Sequence, residues 1–231
     1  MAGRPYHHGD LRNALLDAAE ALIRERGADG WSLREASARV GVAPSAAYHH
    51  FDSRDALVRA LADRVVARVG ERLSGAAATA HGGQQPLIAV GREYVRWAVE
   101  DPAVARVAFA AGRTEPATRI SPHPHDVLAA ELDRLAAAGG LPASARPGAE
   151  FVIWAAMHGL GVLVADGLVR LDSPQAIDRE AERVLTAVLT GLAAEPPPSP
   201  AWPMPRSAHS EALARSWPPA GPATSAAGSP R

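Results

Sequence analysis

The sequence predicts an all-α fold, and three observations carry that expectation. Ala, Leu, Arg and Glu dominate the 231 residues while Ile, Thr, Tyr and Phe are scarce, a balance that favours helices over sheets. Apolar residues recur at three- and four-residue intervals up to about residue 193, the spacing of one helical face. Glycine, proline and serine punctuate these runs where helices start and stop.

From Asp10, the residues Leu11, Leu15, Ala18, Leu22 and Ile23 form the apolar stripe of a first helix, which stops at Gly27. Ser32-Leu33-Arg34-Glu35 is a capping box: the serine oxygen takes a free backbone N–H, and the glutamate returns to the serine N–H. A second helix therefore starts near Leu33, carries Ala36 and Val40, and stops at Gly41, where glycine adopts the left-handed conformation of a sharp reversal. A third follows at once, about two turns from Pro44 to His50, with proline preset for a first helical position.

Ser53 caps a fourth helix from Arg54 to about Leu73, with Leu57, Leu61, Val65 and Val69 on one stripe. A Gly-, Ala- and Gln-containing loop is expected at 75–85, followed by helices near 86–100, 102–111, 124–138, 147–168 and 174–193. Phe151, Val152, Trp154, Met157, Leu160 and Val162 to Val164 cover nearly every side of the penultimate helix, which is therefore expected to be buried all round. The last helix instead has a single stripe, Ile177, Val184, Leu185, Val188, Leu189 and Leu192. From Glu195 the chain turns rich in Pro, Ser, Ala and Gly, a composition expected to stay disordered. The organisation expected is 1–72 as a helix-turn-helix domain, 73–194 as a second helical domain, and 195–231 as a tail.

Composition limits the chemistry. Formal net charge is −1, so any nucleic-acid contact must come from a local arrangement of charge. With no cysteine, disulfides, thiolate metal sites and cysteine nucleophiles are excluded. The most apolar run, near 151–164, is only about 14 residues and holds His158, too short and polar to span a bilayer. No glycine-rich phosphate loop, His-Glu-x-x-His or Gly-x-Ser-x-Gly is present, so no catalytic residue, metal or cofactor is expected.

Two short helices joined by a tight glycine-containing turn are the helix-turn-helix geometry, whose second helix enters the major groove. The segment 33–57, with Gly41-Val42, Tyr48-His49-His50-Phe51 and Ser53-Arg54-Asp55-x-Leu57, resembles the TetR family of transcriptional repressors. The likeness is close over 10–57. Tyr6-His7-His8-Gly9-Asp10-Leu11-Arg12 and Trp154-x-x-x-His158-Gly159 are similar to one branch of that family, with a Trp-His-Gly C-terminal domain, and extend the resemblance to about residue 193.

That resemblance implies a cytoplasmic, nucleoid-associated regulator that binds a palindromic double-stranded operator as a homodimer and is released by a small-molecule effector. By position, Ser45 and Ala46 face bases, Tyr48 and His50 bind phosphate, and His49 serves either role. Pro44 starts the recognition helix, and Ser32, Arg34 and Arg54 contact phosphate. The last two helices of each subunit form the dimer interface, and Tyr94, Trp97, Phe109, Trp154, Met157 and His158 line an effector pocket. Three positions depart from the family pattern: Ala43 replaces a capping serine, Pro44 follows it, and Arg54 replaces a lysine.

Plainer readings stand beside these. Phe51 is expected to be core, and Tyr48 either packs between helices or meets DNA. His49 and His50 point about 100 degrees apart on a helix, which does not suit joint chelation. His123 and His125 read as surface loop, and Arg4 either enters a minor groove or stays solvated. The pocket residues also suit ordinary core. The competing functions are a helical binding module that has lost operator reading, with Ala43, Ala46 and Ala47 as a weak reading surface, or an enzyme acting on a small apolar ligand.

Overall fold

The computed structural model describes residues 8–111 and 120–194, with side chains from 11–110 and 120–194. Among the described residues nine α-helices occur in this order: α1 His8–Arg26, α2 Leu33–Val40, α3 Pro44–Tyr48, α4 Arg54–Thr79, α5 Gln85–Glu100, α6 Pro102–Ala111, α7 Pro124–Ala137, α8 Ala149–Ala165 and α9 Pro174–Ala194. A single 3-10 turn at Ala143–Ala145 precedes α8, and no strand occurs among the described residues. The fold is all-α, as its composition and periodicity predict. The 195–231 tail, Arg4, Tyr6 and His7 lie outside the described residues.

Local chemistry sets the first four helices. The α2 capping box is complete: Ser32 Oγ accepts from the Glu35 amide at 3.3 Å, and Glu35 Oε2 accepts from the Ser32 amide at 2.9 Å. At the other end, Gly41 has φ of 80°, and the amides of Gly41 and Val42 donate to the carbonyls of Ala38 and Ser37. This closure turns the chain within three residues into α3. α3 ends at Tyr48, two residues earlier than its sequence suggests, and the turn at His49 and His50 folds Phe51 into the core.

α4 runs 26 residues, past Gly75 to Thr79. The expected loop at 75–85 is therefore a shorter link at 80–84. Gly75 costs a helix roughly 1 kcal/mol, but Ala76, Ala77 and Ala78 are strong helix formers, and Leu73 and Ala77 are buried beside it. The boundary expected at 72/73 thus falls inside one continuous helix, which packs on α1, α5, α6 and α7. The core is likewise continuous, from Leu15, Ile23 and Leu57 through Leu73 and Leu87 to Ile153 and Leu185.

Gly70 of α4 lets the chain before α7 lie directly on the helix, because a Cβ there would meet the Pro122 carbonyl oxygen at 1.9 Å. Gly70→Ala is expected to destabilise the fold by about 1–3 kcal/mol, the usual cost of overpacking. Chemical denaturation of the two proteins measures it, and equal stabilities would show that this contact gives way freely.

Ion pairs fasten the helices to one another. Glu20 of α1 is 4% exposed and receives Arg24 from its own helix and Arg64 and Arg68 from α4. Arg24 also reaches Asp101, between α5 and α6, at 2.7 Å. Arg72 joins α4 to Glu93 of α5, Arg92 and Arg96 join α5 to Glu182 and Asp178 of α9, and Arg106 of α6 meets Asp166 after α8.

The expectation that α8 is buried all round is corrected. Ile153, Met157 and Leu160 are buried, but Phe151, Val152, Val162 and Leu163 are 39–45% exposed. One chain supplies neighbours, chiefly α5 and α9, on only part of the helix, so the apolar residues that cover its other side face outward. α9 keeps its single stripe, with Ile177, Leu185, Leu189 and Leu192 buried and Val184 and Val188 partly so.

Candidate nucleic-acid interface

α2 and α3 form a helix-turn-helix, packed on one another and through α2 on α1, with Leu33, Ala36, Ala47 and Phe51 all buried. Burying Ala47 directs its neighbours outward. Pro44, Ser45, Tyr48 and His49 are exposed, and Ala46 and His50 are half-buried. Tyr48 is 54% exposed, a large amphipathic ring held in water on a short helix. Ala43, at the N-cap of α3, makes no side-chain cap.

The three remaining candidates differ in their engagements. Arg34 is exposed and has no acidic partner among the described residues. Ser32 is exposed, but its hydroxyl already serves the capping box. Arg54 is held in place: its guanidinium lies 4.9 Å from the centroid of the Trp31 ring and reaches Asp29 at 3.4 Å and Asp55 at 3.2 Å. Trp31 is 5% exposed. The arginine therefore clasps the segment before α2 to the start of α4. Sequence reasoning missed Trp31 and Asp29, because a clasp between residues 25 positions apart leaves no periodic signal.

The second candidate site is an apolar cavity of about 20 Å³ between α4, α5, α7 and α8. Tyr94, Trp154 and Met157 line it with Leu73, Val90 and Ile153. Trp97, Phe109 and His158, expected beside them, do not border this cavity but pack in one ring cluster with Tyr94 and Trp154. Phe109 and the His158 ring are 4.4 Å apart edge to face, Trp97 and Phe109 are 5.6 Å apart, and Trp154 lies 5.0 Å from Tyr94. A 3.0 Å hydrogen bond joins Tyr94 Oη and His158 Nδ1. Burial pushes the Tyr94 hydroxyl upward and the His158 ring downward, so both are neutral at ordinary pH. No charged side chain lines this space.

Among the described residues no group of His, Asp or Glu is arranged to hold a metal, and no helix is long and apolar enough to cross a membrane.

A helix-turn-helix framed by α1 and α4 and joined to a helical bundle with an apolar interior defines a DNA-binding regulator. Residues 15–61 match the family described as bacterial regulatory proteins, tetR family, and 87–193 match the tetracyclin repressor-like C-terminal domain. The chain belongs to the TetR family of transcriptional regulators, a family of regulators rather than enzymes. Among solved structures it is similar to a Rhodococcus protein of unknown function (27% identity, TM-score 0.65), covering 83% of this chain and 100% of that one. It is also similar to a putative transcriptional regulator from Pseudomonas aeruginosa (26%, TM-score 0.63, covering 81% and 94%). A TetR-family regulator from Pectobacterium atrosepticum, at 21% identity and TM-score 0.63 over 84% of this chain and 100% of that one, shares the fold. No curated protein matches the chain.

Proposed function

We propose that the protein is a ligand-responsive repressor that binds a palindromic operator as a homodimer and leaves it when a small uncharged effector enters the bundle. The observation that carries this reading is the exposed end of α3, where Ser45, Tyr48 and His49 face water on a frame that buries Ala47 and Phe51. Phosphate contacts position such a helix, and its base-facing groups specify the site. Ser45 and Ala46 read bases, Tyr48 and His50 hold phosphate, and His49 does either. Arg34 and Ser32 at the start of α2, where free N–H groups attract an anion, add phosphate contacts, and Arg54 positions the motif.

Residues 1–72 are the DNA-reading part in this scheme, and 73–194 bind the effector and dimerise. The exposed face of α8, Phe151, Val152, Val162 and Leu163, is the surface a second copy covers together with α9, spacing the recognition helices about 34 Å apart. The effector is uncharged because the cavity offers it no counter-charge, and it acts to the extent that it prefers the DNA-free conformation. Such a regulator works in the cytoplasm, on the nucleoid.

Leu163→Glu places a charge on the apolar face of α8. The variant is expected to sediment as a monomer and to retard its own promoter DNA at least about tenfold more weakly, since one half-site then binds alone. Sedimentation and gel retardation read both results. Failure of the native chain to retard that DNA at low salt would overturn the proposal.

A further inference from the structure

The arginines of the DNA-facing half fall into two groups. Between residues 11 and 79, every described arginine makes an ion pair except Arg12, Arg34 and Arg59. Net charge over the chain is −1, so attraction for a polyanion must come from those guanidinium groups the fold leaves uncompensated. Phosphate contacts supply most of such affinity. Where each of the three sits then decides which of them meets the duplex.

Arg34 is already placed at the start of α2. Arg59 lies on α4, one turn before Asp63. Arg12 is different. It is exposed on α1, and its guanidinium lies 5.2 Å from the centroid of the Phe51 ring. Phe51 directly follows Tyr48, His49 and His50, so the stack holds the Arg12 charge beside the C-terminal end of the recognition helix. Asp63 attracts both Arg12 and Arg59 but makes an ion pair with neither. A guanidinium resting on an aromatic face keeps its edge N–H groups free to fork onto phosphate oxygens.

We infer that Arg12 is a phosphate-contacting residue of the operator complex, gripping the backbone beside the C-terminal end of α3 while Arg34 grips it at the start of α2. The inference rests on the reading of the chain as an operator-binding homodimer. Phosphates of both strands flank a helix lying in the major groove, and with Arg54 engaged by Asp29 and Asp55, Arg12 supplies the charge beside the end of α3.

The test is the salt dependence of binding, measured by fluorescence anisotropy with a duplex of the protein's own promoter region and with a random-sequence duplex of equal length. Each neutralised phosphate contributes about 0.9 to the slope of log affinity against log salt, so Arg12→Gln is expected to lower the slope of the dimer by about 1.8 on both duplexes. Arg12→Lys, which keeps the charge but loses the guanidinium over Phe51, retains the native slope. Arg170→Gln, which removes an exposed arginine between α8 and α9, leaves the slope unchanged. A native slope for Arg12→Gln alongside normal binding by the unaltered chain overturns the inference alone. So does a loss in Arg12→Lys equal to that in Arg12→Gln, which would make the ring contact structural. If the unaltered chain binds neither duplex, the operator-binding reading itself falls.

Discussion

Tyr48→Ala is expected to weaken operator binding by about 10- to 100-fold, roughly 1.4–2.8 kcal/mol, with no loss of thermal stability. Half of the ring is in water, so its removal opens no interior space. The seal of α3 on the frame is made by Ala47 and Phe51, both buried, and both remain. What disappears is an exposed amphipathic ring that, in the proposed operator complex, sets its hydroxyl on phosphate and its face along the backbone. Tyr48→Phe divides the two contributions: if the hydroxyl bond dominates, phenylalanine loses nearly as much as alanine. Anisotropy titration on promoter DNA, with a melting curve for each variant, reads both effects. Binding unchanged in Tyr48→Ala would remove α3 from the interface.

Glu20→Ala is expected to cost about 2–3 kcal/mol of stability and about 4–12 °C in Tm for a chain of this size. The magnitude follows from asymmetry of burial. The glutamate is 4% exposed, whereas the side chains of Arg24, Arg64 and Arg68 are 27–48% exposed. Stranded arginines can rehydrate, so the loss falls below that of a fully enclosed charge. Burial alone would push the carboxyl up, but Arg68, by hydrogen bond and charge, and Arg24 outweigh it and hold the group below its ordinary value of 4.5. A lowered folded-state value means that its contribution is full above about pH 4.5 and is lost as acid takes the pH through the lower folded value. Glu20→Gln should therefore flatten that part of the stability profile. A native-like acid limb in Glu20→Gln would assign the transition to other carboxylates.

Features written in adjacent residues were the ones readable from sequence. Ser32 and Glu35, Gly41, Pro44 and Ser53 each act within one turn of their own helix, and the structure shows each acting there. Features that depend on distant neighbours were not. Gly75 reads as a breaker until the burial of Leu73 and Ala77 is known. α8 is apolar on every side, which cannot tell a helix covered all round from one whose outer side stays exposed in a single chain. Nothing in the spacing of Arg54 shows that Trp31 and Asp29 occupy it, and nothing around Arg12 shows Phe51 beneath it. Of the six aromatic and polar residues expected to line an effector pocket, Tyr94, Trp154 and Met157 border the small apolar cavity. Trp97, Phe109 and His158 share the cluster, but periodicity fixes the face of a helix and not the depth of a side chain behind it.

The ion pairs between helices have one more property in common. Every positive partner is an arginine, and none of the 24 basic residues in these 231 is a lysine. A guanidinium keeps its proton beyond the alkaline range in which an ammonium gives it up. The fasteners joining α1 to α4, α5 to α9 and α6 to the end of α8 therefore stay charged in strong base. They also contain no primary amine, so acetylation, ubiquitination and amine-directed cross-linking have no purchase on them. Covalent chemistry that retunes lysine-rich regulators passes this helix scaffold by, and its contacts yield to acid and salt instead.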